Sequence, residues 1–216
     1  MNDQRSVVSA GLVLAAAVGV FGIAFGAGAV SAGASVWQTC VMSLAVFTGA
    51  SQFSAISVIA AGGGTVAALG GATLLAARNG VYALAMSRVL PRGRLATRLI
   101  AAQVTIDEST AMASAARDDA DARRAFWVTG IGVYVFWNIG TLVGAVAGSA
   151  VDPAVFGLDA AFPSGFVAML APLMDQRAHR AAAIGGAVIC LVATPVLPVG
   201  LPILCAAAAV MLGVRR

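Results

Sequence analysis

The chain has 216 residues, of which 60% are hydrophobic and only 10% are charged. A soluble domain carries about 25% charged residues, so this composition excludes an ordinary soluble protein and predicts a surface that faces lipid. The formal net charge is +4, and all 13 basic residues are arginine. They stand in short groups between apolar runs, which is typical of loop charges that set membrane topology and argues against nucleic-acid binding.

The predicted fold is all-α: a polytopic transmembrane helix bundle of about six to seven spans, in one membrane domain over residues 1–216 of the cell inner membrane. The first apolar run is longer than that of a signal peptide, so we expect it to stay as a helix. Prolines between the last two runs predict a tight turn or a broken helix there. The candidate spans are Val7–Val30, Val36–Ala60, Val66–Leu90, Phe126–Val151, Val155–Met174, Ala181–Leu197 and Leu201–Val214.

Small polar side chains interrupt the middle of the second candidate span. Glutamine and hydroxyl groups are costly in hydrocarbon unless they are paired. The stretch therefore predicts a polar contact with a ligand or an unwound point of the backbone. The alternative is hydrogen bonds between helices with close packing of small residues. The candidate site residues in it are Thr48, Gly49, Ser51 and Gln52.

The third candidate span is interrupted by Arg78 and Asn79, with Tyr82 one turn later. An arginine in an apolar run is costly, so it marks a function or reaches toward the interface. The positive-inside rule would place both Arg5 and the central arginines in the cytoplasm. Three simple crossings between them would place Arg5 and the central arginines on opposite sides of the membrane. We therefore expect a broken or re-entrant helix around residues 50–90. The alternative is an extra crossing within residues 91–124.

Residues 91–124 form a long polar, partly amphipathic connecting segment. Charged residues cost about 2.5 to 3.5 kcal/mol each at the bilayer centre, so we expect this segment to lie at the interface or to be held in the membrane by its neighbours. Its adjacent acids, Asp107 and Glu108, point about 100° apart on a helix, so we expect one to face inward and the other outward. They predict either a solvated face or a proton-binding carboxylate, because burial favours the neutral form. By the arginine bias, this segment, Arg177–Arg180 and the C-terminal arginines should be cytoplasmic.

Glycine recurs at every fourth position in two candidate spans: Gly22 and Gly26 in the first, and Gly140, Gly144 and Gly148 in the fourth. Such patterns predict flat faces against which another helix packs closely. We expect one face to be covered within the chain and the other to be left for another subunit. The alternative is that both faces pack within this chain or in a homo-oligomer.

Two more polar residues stand out. Asn138 needs a hydrogen-bond partner at mid-span. Asp159 opens the fifth candidate span, where the helix dipole favours an acid and where it could also lie at a substrate entrance. The three cysteines lie in apolar runs and His179 lies in a charged loop, so the sequence contains no nucleophile–base pair and no metal-ligand spacing. We therefore expect no enzyme activity, no metal and no cofactor.

Taken in order along roughly residues 10–175, these motifs resemble the AzlC family, the large subunits of branched-chain amino acid exporters. Where the family shows an asparagine followed two places on by an arginine, this chain has Arg78-Asn79. The motifs that carry the resemblance are Thr48-Gly49-Ala50-Ser51-Gln52-Phe53, Arg78-Asn79 with Tyr82, Asp107-Glu108, Trp137-Asn138 with the glycine stripe, and Gly157-Leu158-Asp159 with Phe162-Pro163.

The resemblance implies export of valine, leucine, isoleucine and sometimes methionine, together with a small membrane partner of the AzlD type. A zwitterion with an apolar side chain needs an acid near its ammonium group, which Asp107, Glu108 or Asp159 could provide. It also needs donors near its carboxylate, which Arg78 or half-helix N–H groups near residues 49–52 could provide. The alternative is a structural or assembly subunit without its own substrate site. A higher oligomer is compatible with either reading.

Overall fold

The structure is a computed structural model that describes residues 2–90, 93–150, 167, 171–199 and 201–214. All regular structure in these residues is helical, which confirms the all-α prediction. Most of the fifth candidate span lies outside them. The elements are α1 (Asn2–Ser31), α2 (Val36–Val46), α3 (Ala50–Ala60), α4 (Thr65–Met86), α5 (Leu95–Gln103), α6 (Asp107–Ser114), α7 (Asp119–Ala150), α8 (Arg177–Ala193), α9 (Leu201–Ala206) and α10 (Val210–Val214), with short 3₁₀ turns at Ala171–Asp175 and Ala207–Ala209.

Two helices in the described residues are long and apolar enough to cross a membrane: Val7–Ser31 within α1, and α7. α7 begins at Asp119, earlier than the predicted start at Phe126. The reason is an aspartate cap, because the Asp118 carboxylate accepts hydrogen bonds from the backbone N–H groups of Ala120 and Asp121 at 2.9 and 2.8 Å. The cap satisfies N–H groups of the first turn and extends the helix into a polar stretch that hydropathy does not detect.

α1 and α7 pack closely together and run parallel. Gly11 lies against Thr129 near the start of both helices, and Gly26 lies against Thr141 further along. A Cβ atom added at Gly26 or Gly144 would overlap the backbone of the opposite helix. The two glycine faces thus cover each other. The expectation that one of them is left for another subunit is wrong, because the first and fourth spans are direct neighbours.

The parallel packing settles the conflict between the arginines. The N-termini of α1 and α7 share one end of the bundle, here called the basic end, so Arg5 and the pair Arg123 and Arg124 lie toward the same end. The chain between Ser31 and Asp119 must therefore return from the opposite end to the basic end.

The predicted second span is not a single crossing. α2 runs from the opposite end toward the middle, where Ser43 meets Thr141 and the Leu44 carbonyl meets Tyr134. The chain then turns at residues 47–49, where Phe47 and Gly49 have φ angles of 24° and 55°. These left-handed conformations end the helix.

α3 returns alongside α2 toward the opposite end. The Gln52 side chain reaches back to the Met42 carbonyl, and Met42 packs against Ala55 and Val58. α2 and α3 are therefore a helical hairpin that enters and leaves the bundle at the same end. The break lies at residues 47–49, just before the region in which we expected it.

α4 runs antiparallel to α3 and reaches the basic end, where Met86 packs with Ala122 and Phe126 from the start of α7. The helix is continuous through Arg78 and Asn79. The expected interruption of the helix there is wrong. Because the Arg78 guanidinium is paired with the Asp107 carboxylate, its charge is compensated within a continuous helix.

A second hairpin enters from the basic end. α5 leads to Gln103, whose side chain meets the carbonyl of Leu44 in the middle of the bundle. The chain turns at residues 104–106, and α6 returns to Ala113, which packs with Met86 at the basic end. α5 has no buried residue, but the turn and the start of α6 are buried. Neighbouring helices therefore hold the turn and α6 in place, whereas α5 has no buried residue.

The same order of elements therefore occurs twice in opposite directions. A long helix is followed by a helical hairpin, first as α1 with α2–α3 and then as α4 with α5–α6. The tip of the first hairpin, residues 47–49, and the tip of the second, residues 104–106, both lie in the middle of the bundle. The sequence alone gives no convincing internal repeat.

The C-terminal helices pack beside α4 as a separate layer. α8 leads toward the opposite end, where Val199 lies close to Gly63. α9 and α10 return toward the start of α8, and Gly213 lies near Ala178. The predicted last span is therefore divided by a 3₁₀ turn at Ala207–Ala209.

Candidate functional site

A cavity of about 240 Å³ lies where the two hairpin tips meet α1, α4 and α7. A cavity of about 150 Å³ is large enough for benzene, and pockets for drug-sized ligands begin near 300 Å³. The volume therefore suits a small metabolite. The lining residues are Leu14, Ala17, Val18, Phe21, Phe47, Thr48, Gly49, Ala50, Phe53, Arg78, Asn79, Ile106, Asp107, Glu108, Val133 and Trp137.

The apolar part of the lining comes from one face of α1, from the first hairpin tip with the start of α3, and from α7. Leu14, Ala17, Val18 and Phe21 follow the i, i+3, i+4, i+7 spacing of one helix face. Sequence reasoning missed this face because α1 is apolar all round, so the spacing shows no contrast with polar positions.

An aromatic cluster fixes the wall on the α7 side. The ring of Trp137 stacks on Phe25 with centroids 6.0 Å apart and meets the edge of Phe53 at 5.8 Å. Phe25 and Phe53 are themselves in edge contact at 5.7 Å. Three rings from α1, α3 and α7 thus hold one another in place, which gives the cavity a rigid apolar boundary.

The charged part of the lining comes from α4 and α6. Arg78 Nη2 lies 2.6 Å from Asp107 Oδ2, and both side chains are partly buried. The Tyr82 hydroxyl group also interacts with the Asp107 carboxylate. Asp107 is thus engaged by two partners from α4, in addition to its favourable place in the first turn of α6.

Glu108 differs from its neighbour. It also lines the cavity, but within the described part of the chain it has no ion-pair partner. The prediction that one acid faces inward and the other outward is wrong, because both line the cavity. The structure distinguishes them by their partners: Asp107 pairs with Arg78, and Glu108 pairs with no cation in the described residues.

The first hairpin tip presents Thr48 and Gly49 to the cavity, while Ser51 and Gln52 support the turn from behind. Gln52 is fully buried; its Oε1 accepts a hydrogen bond from the Gly49 N–H at 3.2 Å, and its Nε2 donates to the Met42 carbonyl at 3.4 Å. The hydroxyl groups of Thr48 and Ser51 are hydrogen-bonded to each other. These contacts stabilise the turn that precedes α3. The first turn of α3, whose backbone N–H groups have no partner within the helix, therefore lies next to the cavity.

The remaining candidates do not join the lining. Asn138 lies on α7, where its Nδ2 donates to the Tyr134 carbonyl at 2.8 Å. It thus satisfies part of its hydrogen bonding within its own helix. Asp159 and the surrounding motif lie outside the described residues.

A protein-family model described as AzlC protein matches residues 13–151. The match covers more than half of the chain and includes every residue that lines the cavity. No curated protein and no solved structure matches the chain.

Proposed function

Because the chain belongs to the AzlC family, we propose that it is the large subunit of an exporter of branched-chain amino acids, namely valine, leucine and isoleucine, with methionine as a further substrate. The observation that carries this proposal is the cavity. It combines an acid that has no ion-pair partner among the described residues, donors from an arginine and a helix start, and an aliphatic helix face. A hydrophobic zwitterion needs an acid, donors and an apolar face together.

The proposal assigns one role to each part of the lining. The Glu108 carboxylate binds the substrate ammonium group, and the backbone N–H groups at the start of α3, with Arg78 nearby, receive the substrate carboxylate. The face of α1 that contains Ala17 and Val18 receives the aliphatic side chain. A charged side chain placed there would lose its hydration without gaining a partner, which excludes acidic and basic amino acids.

The arrangement of the two hairpins also supports transport. Inverted repeats whose discontinuous helices meet at mid-membrane are a recurring basis for alternating access. In this chain the hairpins come from opposite ends and both tips line the cavity. The proposal therefore places the protein in the inner membrane as a multi-pass chain, with α1, α4 and α7 crossing fully. An assembly subunit without a substrate site would not need a charged cavity at this position.

The basic end is proposed to be cytoplasmic, by the arginine bias. A single cysteine introduced at Ala120, at the start of α7, should resist a membrane-impermeant thiol reagent added to intact cells. One introduced at Ala61, in the exposed turn between α3 and α4, should react. The background should lack Cys40, Cys190 and Cys205. Strong external labelling at position 120 together with protection at position 61 would reject this orientation.

A small membrane subunit of the AzlD type is the proposed partner. Its support is the family membership alone, because the glycine faces of α1 and α7 pack against each other. Co-expression with such a subunit, followed by copurification in detergent, should recover both chains. If the chain exports leucine fully when expressed alone, the partner is not needed for transport.

The substrate class is tested by efflux from cells loaded with dipeptides. We expect this chain and its partner to increase efflux of leucine and valine, and to leave efflux of lysine and glutamate unchanged. Equal stimulation of charged and aliphatic amino acids would contradict the role assigned to the α1 face.

A further inference from the structure

The C-terminal end of α2 exposes backbone carbonyl groups in the middle of the bundle. The last four carbonyl groups of a helix have no partner within the helix, and inside a membrane there is little water to replace one. α2 ends here because the chain turns at residues 47–49, so its final carbonyls must be satisfied by side chains from elsewhere.

Three side chains donate to carbonyls at this end of α2. Gln52 Nε2, from the same hairpin, donates to the Met42 carbonyl, which precedes the last four. Two side chains reach the last four: the Tyr134 hydroxyl from α7 donates to the Leu44 carbonyl at 3.1 Å, and Gln103 Nε2 donates to the Leu44 carbonyl at 2.9 Å and to the Ala45 carbonyl at 3.3 Å. Among these three side chains, Gln103 alone comes from the opposite hairpin.

The position of Gln103 links the two polar parts of the cavity. It is the last residue of α5 and lies just before the tip that leads to Asp107 and Glu108. Leu44 and Ala45 lie just before the tip that carries Thr48. Gln103 itself does not line the cavity.

We propose that Gln103 is a positioning residue, which sets the distance between the two hairpin tips and thereby between the parts of the site that receive the carboxylate and ammonium groups of the substrate. It acts through the Leu44 and Ala45 carbonyls without touching the substrate. The transport consequence rests on the function proposed above, but the coupling of the two tips does not.

The first test measures the tip directly and needs no substrate. In the background without native cysteines, Thr48→Cys is labelled by a small water-soluble thiol reagent in purified protein. Gln103→Leu should raise the labelling rate about fivefold, as loss of one to two net hydrogen bonds would allow. The matched control is Gln38→Leu, because Gln38 bonds to the backbone N–H of Ser35 at the other end of α2, away from the cavity.

The second test measures transport of leucine. Gln103→Leu and Gln103→Glu should raise the KM several-fold at normal protein amounts, because neither keeps the amide donor. Gln103→Asn should have a smaller effect, since it keeps the donor on a shorter side chain. A change in the distance between the two hairpin tips alters the KM, whereas a lower amount of protein alters only the maximal rate.

Equal labelling of Thr48→Cys in the Gln103→Leu and Gln38→Leu backgrounds would overturn the proposal. So would loss of folded protein in both Gln103→Leu and Gln103→Glu with normal amounts of Gln38→Leu, since the amide would then hold the fold together. If labelling changes as expected while the wild-type chain together with its partner subunit exports no amino acid, the positioning role stands and the exporter function fails.

Discussion

Glu108→Gln is expected to reduce leucine export by about 10- to 100-fold, the range that corresponds to losing a hydrogen bond between charged groups. The amide keeps the size of the side chain but removes the charge that faces the substrate ammonium group. Since Glu108 has no ion-pair partner in the described chain, the substitution leaves no arginine without its counter-ion. The amount of protein in the membrane should therefore stay normal. The measurement is the initial rate of leucine efflux per amount of membrane-inserted protein.

The neighbouring acid provides a contrast. Asp107→Asn removes the counter-ion of Arg78, so it should lower the amount of folded protein as well as transport, because a partly buried guanidinium loses its partner. Asp119→Asn, at an exposed position at the start of α7, is the control and should export normally. Wild-type efflux from both Glu108→Gln and Asp107→Asn would remove the basis for a functional carboxylate in this cavity.

Gly144→Ala is expected to be strongly destabilising although it adds one methyl group. The new Cβ atom would overlap the Ile23 carbonyl and the backbone around it, so α1 and α7 would have to move apart along their contact. Overpacking of this kind costs about 1 to 3 kcal/mol, and the site depends on the same contact, since both helices line the cavity. The measurement is thermal stability in detergent by size-exclusion chromatography.

The matched control is Gly80→Ala on α4. No atom lies within 4 Å of a Cβ added there, and alanine is the better helix former by about 1 kcal/mol. Gly80→Ala should therefore be at least as stable as the wild type. If Gly144→Ala and Gly80→Ala melt at the same temperature, the close packing of α1 against α7 is not as described.

The all-α class and the long helices could be predicted because hydropathy over about 20 residues is a strong signal. The hairpins could not. The run Val36–Ala60 contains no charged residue, and its length is that of one span. What divides it is a turn next to which the carbonyls of α2 are met by Gln103 and Tyr134, far away in sequence. The arginines before the first span and in the central segment indicated that one apolar run between them does not cross. The expected region, residues 50–90, begins just after the observed turn at residues 47–49.

The site shows the same division. Arg78, Asp107 and Glu108 could be predicted because a charge in apolar surroundings is costly and therefore conspicuous. Their different roles could not, since only the contact between α4 and α6 shows which acid Arg78 pairs with. The apolar wall from α1 was invisible for the opposite reason, because Ala17 and Val18 look like every other residue of a lipid-facing helix.

The proposed exporter function is tested by leucine efflux from dipeptide-loaded cells that express neither chain, this chain, the small partner, or both. We expect cells with both chains to export leucine faster than the other three, and Glu108→Gln to remove most of this increase. No change in leucine or valine efflux from cells in which the complex has been recovered intact would contradict it.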